Sequence, residues 1–158
     1  MTQLQKKISV LLNREERSFD QNLSDLCSLL RNSHPHFTWV GFYFADHYNK
    51  RLRLGPYSGA KTEHTIIPFG KGICGQVAIS NKKFLVPDVT EQDNYIACNI
   101  NVKSELVIPL FINDINIGQI DVDSNQLNAF EQKDEHLLYW VNAQIAESWP
   151  KDYNPLTI

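Results

Sequence analysis

The sequence predicts an α+β domain: an antiparallel sheet of about six strands, with the N- and C-terminal helices packed on one face. Three observations predict it. Apolar residues recur at helical spacing at both ends of the chain. The middle is a series of short β-branched and aromatic runs, and Asn113-Asp114 marks a tight hairpin between the last two of them. All 158 residues read as a single domain, long enough to bury a hydrophobic core.

Leu4, Ile8, Leu11 and Leu12 have the spacing of a first helix, and Phe19, Leu23, Leu26, Cys27 and Leu30 that of one face of a second. Asn13 is the expected N-cap of the second helix, with Glu15 and Glu16 in the favoured first turn. That helix should end before Asn32-Ser33-His34-Pro35. Strands are expected at Thr38 to Phe44, Arg51 to Leu54, Thr65 to Pro68, Phe84 to Val86, Leu106 to Ile112 and Ile115 to Val122. Gly75 to Ser80 reads as a short helix after a glycine loop. A last helix from about Phe130 to Ser148 carries Leu137, Val141 and Ile145 on one face.

The net charge of −3 argues against nucleic acid as the main partner, because phosphate binding needs a basic surface. Lys6-Lys7, Lys82-Lys83 and Arg51 with Arg53 are the close basic pairs, and they read as solvated faces. No apolar run approaches a membrane span, and the first residues lack the pattern of a secretory signal. A cytoplasmic location is therefore expected. Thiols are normally reduced there, and three cysteines do not make a structural disulfide framework.

Two of those cysteines lie in unusual surroundings. Cys98 follows a polar loop, Thr90-Glu91-Gln92-Asp93-Asn94, where substrate could reach it; a small buried hydrophobe is the competing reading. Cys74 is flanked by Gly70, Gly72 and Gly75, where a helix start and Lys71 would lower a thiol pKa; space filling beside a tight turn competes there. Cys27 belongs to the apolar face of the second helix. Asp121 and Asp123 share one face of a strand and, with Glu105, form a carboxylate group that a cation or ammonium would compensate; a solvated outer face is the alternative. Register decides between them. A simple two-residue turn at Asn113-Asp114 would aim Glu105 at the other face, whereas a longer loop or a bulge, with Pro109 favouring irregular pairing, restores the alignment. Trp39 and Tyr43 share a face and either fill core or wall a pocket. The histidines at 34, 36, 47, 64 and 136 form no recognisable metal-ligand motif, so no metal is expected. Thiols near clustered carboxylates point to redox chemistry on a small, positively charged molecule.

Several runs together resemble one family. They are Trp39-Val40-Gly41-Phe42-Tyr43, Leu54-Gly55-Pro56-Tyr57, Pro68-Phe69-Gly70-Lys71-Gly72-Ile73-Cys74-Gly75, Val86-Pro87-Asp88-Val89, Ile96-Ala97-Cys98, Ser104 to Pro109 and Asp121-Val122-Asp123-Ser124. In this order they are similar to the free methionine-(R)-sulfoxide reductases, single-domain GAF proteins, over about residues 15 to 148. The resemblance implies that Cys98 is catalytic and that Cys74 takes part in recycling. It also implies that Glu105, Asp121 and Asp123 hold the substrate beside Trp39 and Tyr43. It implies no cofactor beyond an external thiol reductant of the thioredoxin type, and a homodimer. Two departures stand out. His64 occupies the place where many members carry a further, resolving cysteine, and Asn99 stands where the family often has aspartate.

The implied reaction is reduction of free methionine-(R)-sulfoxide through a sulfenic acid and a disulfide. The rival readings are a non-catalytic GAF sensor of small molecules and a thiol redox switch. Phe130-Glu131-Gln132-Lys133-Asp134-Glu135 fits part of a motif of nucleotide-binding GAF domains and also fits a plain helix start.

Overall fold

The computed structural model describes residues 1–92 and 101–157. Its elements are α1 (Gln3–Leu12), α2 (Phe19–Ser33), β1 (Trp39–Asp46), β2 (Arg51–Ser58), β3 (Ile66–Pro68), α3 (Gly72–Ser80), β4 (Phe84–Val86), a 3-10 turn at Val89–Glu91, β5 (Ser104–Ile112), β6 (Ile115–Ser124) and α4 (Gln132–Ser148). The strands form a sheet in the order β3-β2-β1-β6-β5-β4, each neighbouring pair antiparallel. No helix among the described residues is long and apolar enough to cross a membrane.

The helix starts correct one expectation. Asn13 is not the N-cap of α2; it closes α1, its backbone N–H bonded to Leu11 and Val10. Ser18 caps α2 instead, in a reciprocal box with Gln21. Glu15 and Glu16 therefore precede the helix, and Arg14 bridges Asn22 and Asp25. The helix also runs on through Ser33 to a cap at His34, beyond the expected end. α3 begins three residues early, so Cys74 lies in its first turn. In α4, Leu138 is the fully buried leucine alongside Val141 and Ile145, while Leu137 packs at the margin.

Two irregularities shape the sheet. β2 is longer than its apolar run because it continues through Gly55-Pro56, where two residues oppose Phe42; a proline is tolerated at such a bulge, since it has no N–H to give to the ladder. The Asn113-Asp114 turn has two residues, both at positive φ (51° and 64°), as a tight hairpin requires. Ile112 pairs with Ile115 and Phe111 with Asn116, and then β6 carries one extra residue before Leu110 meets Gly118. This bulge, at Ile117 rather than at Pro109, brings Glu105 opposite Asp123 and Val107 opposite Asp121. Gly118 is needed beside it, because a Cβ there would lie 2.4 Å from the Tyr43 carbonyl oxygen.

Period-two alternation then divides the sheet into two faces. Val40, Phe42 and Phe44, with Ile120, Val122, Leu106, Ile108 and Leu110, point to the side covered by α1, α2 and α4, as expected for the terminal helices. Cys27 is buried in this core, its Sγ toward the Pro56 carbonyl at 3.7 Å, and burial pushes its pKa up. The opposite face packs against α3.

Candidate active site

The α3-covered face is built as three neighbouring rows. β6 contributes Gln119, Asp121 and Asp123; β1 places Tyr43, Gly41 and Trp39 beside them in register; β5 places Pro109, Val107 and Glu105 on the other side. All three carboxylic residues are buried: Glu105 is 3% exposed, Asp121 0% and Asp123 1%. The solvated-face alternative is thereby excluded.

α3 lowers Cys74 onto this row. Its Sγ lies 3.4 Å from Asp121 Oδ2 and 3.8 Å from Glu105 Oε2, with the S–H as donor. Lys71 is exposed, so the groups facing the thiol are carboxyls. Gln119 Nε2 donates to the Cys74 carbonyl at 3.1 Å and ties α3 to β6. Burial raises the pKa of Asp121, while hydrogen bonds from Glu105, Cys74 and Asp123 pull it back. The net direction is upward, so Asp121 holds a proton more readily than an exposed aspartate does.

Trp39 and Tyr43 share a face as alternation predicts, with Tyr57 packed beside Trp39; Trp39 lines a small cavity, whereas Tyr43 is fully buried. The Trp39 ring lies across Gly41, where a Cβ would be 2.4 Å from the ring. It stacks on Tyr57 at 5.4 Å and on Tyr43 at 6.3 Å between centroids. Trp39 Nε1 donates to the Ala60 carbonyl and the Tyr43 hydroxyl to that of His64, both at 3.0 Å. A cavity of about 140 Å³ opens beside this wall, lined by Thr38, Trp39, Ala60, Asn101, Val102, Asp123 and Asn125. A wider groove of about 420 Å³, between α2, β2 and the C-terminal tail, holds Asp20, Arg53 and Leu156 but no thiol. The smaller cavity is the candidate because Asp123, one of the three buried carboxylic residues, lines it beside Trp39.

Cys98 and Asn99 lie outside the described residues. The sequence reading missed Gln119 and Tyr57. Gln119 was signalled by its place two residues before Asp121; Tyr57 was hidden by the proline that precedes it. The Phe130–Glu135 run is a helix start. Asp134 accepts from the Glu131 backbone N–H at 2.8 Å and pairs with His36 at 3.1 Å, and Glu135 pairs with Lys83 at 2.8 Å.

The six-stranded sheet, its helix-covered face and its buried polar face define a GAF domain, and a GAF-domain family model matches residues 16–147. The free methionine-R-sulfoxide reductase of Escherichia coli is 35% identical over 82% of this chain and 77% of its own length. The yeast enzyme of that name is 36% identical over 74% and 68%. The structure of free methionine-R-sulfoxide reductase from Neisseria meningitidis in complex with its substrate superposes with a TM-score of 0.86 at 31% identity, covering 92% of this chain and 86% of that one. The chain belongs to the free methionine-R-sulfoxide reductase family of GAF proteins.

Proposed function

We propose that the protein reduces free L-methionine-(R)-sulfoxide to methionine. The observation that carries this reading is buried Asp123 lining the cavity beside Trp39, with Asp121 on the same strand face and Glu105 paired opposite Asp123. Burying carboxylates is costly, and a bound ammonium offsets that cost through charge-assisted hydrogen bonds. The α-ammonium of a free amino acid supplies that charge, and a peptide-bound methionine does not. The aromatic wall takes the methyl and sulfoxide end.

Cys98 is the nucleophile in this reading. It precedes Asn101, a cavity residue, by three positions, a separation that covalent geometry limits to about 11 Å between Cα atoms. Its thiolate attacks the sulfoxide sulfur while the carboxyl cluster protonates the oxygen; the raised pKa of Asp121 fits it for that donation. The hydroxyl then passes from the substrate sulfur to Cys98 Sγ as the S–S bond breaks, which releases methionine and leaves Cys98 as a sulfenic acid. The Cys74 thiol condenses with it, releasing water and forming a disulfide, and an external dithiol of the thioredoxin type reduces the pair by exchange. With His64 at the further family position, Cys74 is the internal thiol available for this step among the described residues; Cys27 is sealed in the opposite core. Protomers are expected to pair as a homodimer, and the expected location remains the cytoplasm.

Methionine release from the free sulfoxide, measured with thioredoxin and separately with dithiothreitol, tests the reading. The wild type is expected to turn over and Cys98→Ser to be inactive. Folded, reduced wild-type protein that is inactive with both reductants would overturn it in favour of a GAF sensor or redox switch.

A further inference from the structure

The cluster under α3 has the geometry of a metal site as well as of an ammonium site. Cys74 Sγ, one oxygen of Glu105 and one of Asp121 all lie within 4.8 Å of one another. A tetrahedral zinc ion with Zn–S of about 2.3 Å and Zn–O of about 2.1 Å sets sulfur and oxygen about 3.6 Å apart. The observed separations, 3.4 Å to Asp121 and 3.8 Å to Glu105, straddle that edge. The second oxygen of fully buried Asp121, Oδ1, has no hydrogen-bond partner among the described residues. Outer support is also present: Gln119 Nε2 donates to the Cys74 carbonyl and fixes the ligand-bearing turn against β6.

We infer that the reduced protein binds one zinc-class divalent cation through Cys74, Glu105 and Asp121, and that this ion competes with substrate for the same carboxylates. A thiolate in the donor set selects a borderline-soft ion over magnesium or calcium, which take oxygen ligands. Binding converts the Cys74 thiol to thiolate, and its proton leaves to solvent. Three protein ligands leave a fourth position for water. The site contains no histidine, which explains why the scattered histidines gave no sign of it in the sequence. A Cys74 disulfide removes a ligand, so metal occupancy follows the redox state of the protein. Binding stands apart from the proposed reduction; the competition rests on it.

The test is optical titration of the reduced, chelator-treated full chain with Co²⁺, followed by displacement with Zn²⁺. The expected result is a thiolate-to-cobalt charge-transfer band saturating at one ion per chain and abolished in Cys74→Ser. The band should be retained in Cys27→Ser and Cys98→Ser. Glu105→Gln and Asp121→Asn, which keep all thiols, should each weaken binding by at least about tenfold; their circular dichroism confirms the fold. Absence of the band, its survival in Cys74→Ser or its loss in Cys98→Ser would overturn the site. In single-turnover reactions of the reduced protein, Zn²⁺ should slow methionine release at low sulfoxide, and excess sulfoxide should restore the rate. Activity indifferent to Zn²⁺ at saturating occupancy would overturn the competition. A protein without reductase activity that still gives the Cys74-dependent band would sink the reduction and keep the site.

Discussion

One sheet presents two opposite chemistries. Toward α1, α2 and α4 it offers Val40, Phe42, Phe44, Leu106, Ile108, Ile120 and Val122; one residue along the same strands, toward α3, it offers Trp39, Gly41, Glu105, Asp121 and Asp123. Both sides are buried, so exposure does not distinguish them. The first is a core that fixes the fold by removing apolar surface from water. The second keeps its carboxyls out of water, which opposes folding; in the proposed function a cationic ligand compensates that cost. Adjacent residues of β6 should therefore respond to substitution in opposite ways.

The largest effect is expected on the apolar side. Ile120→Ala removes a fully buried side chain and should lower unfolding stability by about 2–5 kcal/mol in urea or thermal denaturation. A loss below ~1 kcal/mol would mean that the helix-covered core does not govern the fold.

Asp121→Asn, one residue on, should do the reverse. Turnover of the free sulfoxide should fall on the order of 100-fold, the ~3 kcal/mol of one charge-assisted hydrogen bond. Without ligand, the melting temperature at neutral pH should be unchanged or higher. The sign follows from linkage. The folded pKa of Asp121 lies above its ordinary 3.8, so the folded state keeps a proton that the unfolded state releases. This contribution to stability is present below 3.8 and is lost as pH rises through the raised folded value. Asp121→Asn should flatten that decline; a steeper decline would contradict the assignment.

Smaller effects sharpen the comparison at the sheet ends. Asp114→Gly relieves a non-glycine residue at φ 64° and should stabilise the hairpin by about 0.5–1 kcal/mol while leaving turnover intact. Lost turnover would show that the turn sets the register of Glu105. Asp46, at the end of β1, gives the smallest and opposite pH signature. Asn49 and Arg51 hold its pKa below 3.8, so its contribution is present above that value and disappears as pH falls through the lowered one. Acid-limb melting of Asp46→Asn should lose this slope, and an unchanged slope would remove the role.

The sequence disclosed the apolar side more fully than the polar one. Periodicity located the strands and the faces of α1, α2 and α4 because burial in a core selects residues at a fixed spacing. The cap of α2 was misread because Asn13 and Ser18 both have capping side chains; only the reciprocal contact with Gln21 chooses between them. On the polar side, Asp121 and Asp123 were placed together by alternation, but Glu105 joined them only through the extra residue at Ile117. A bulge of that kind depends on close approach to β1, which no local pattern records. Tyr57 was missed for the related reason that β2 crosses a proline.

The most direct test of the ammonium-binding role is the ratio of kcat/KM for free L-methionine-(R)-sulfoxide to that for the same sulfoxide inside a peptide. The expected wild-type preference for the free amino acid is at least about 100-fold, collapsing in Glu105→Gln and Asp123→Asn. Equal activity on both substrates, with the preference unaltered by those substitutions, would contradict the account.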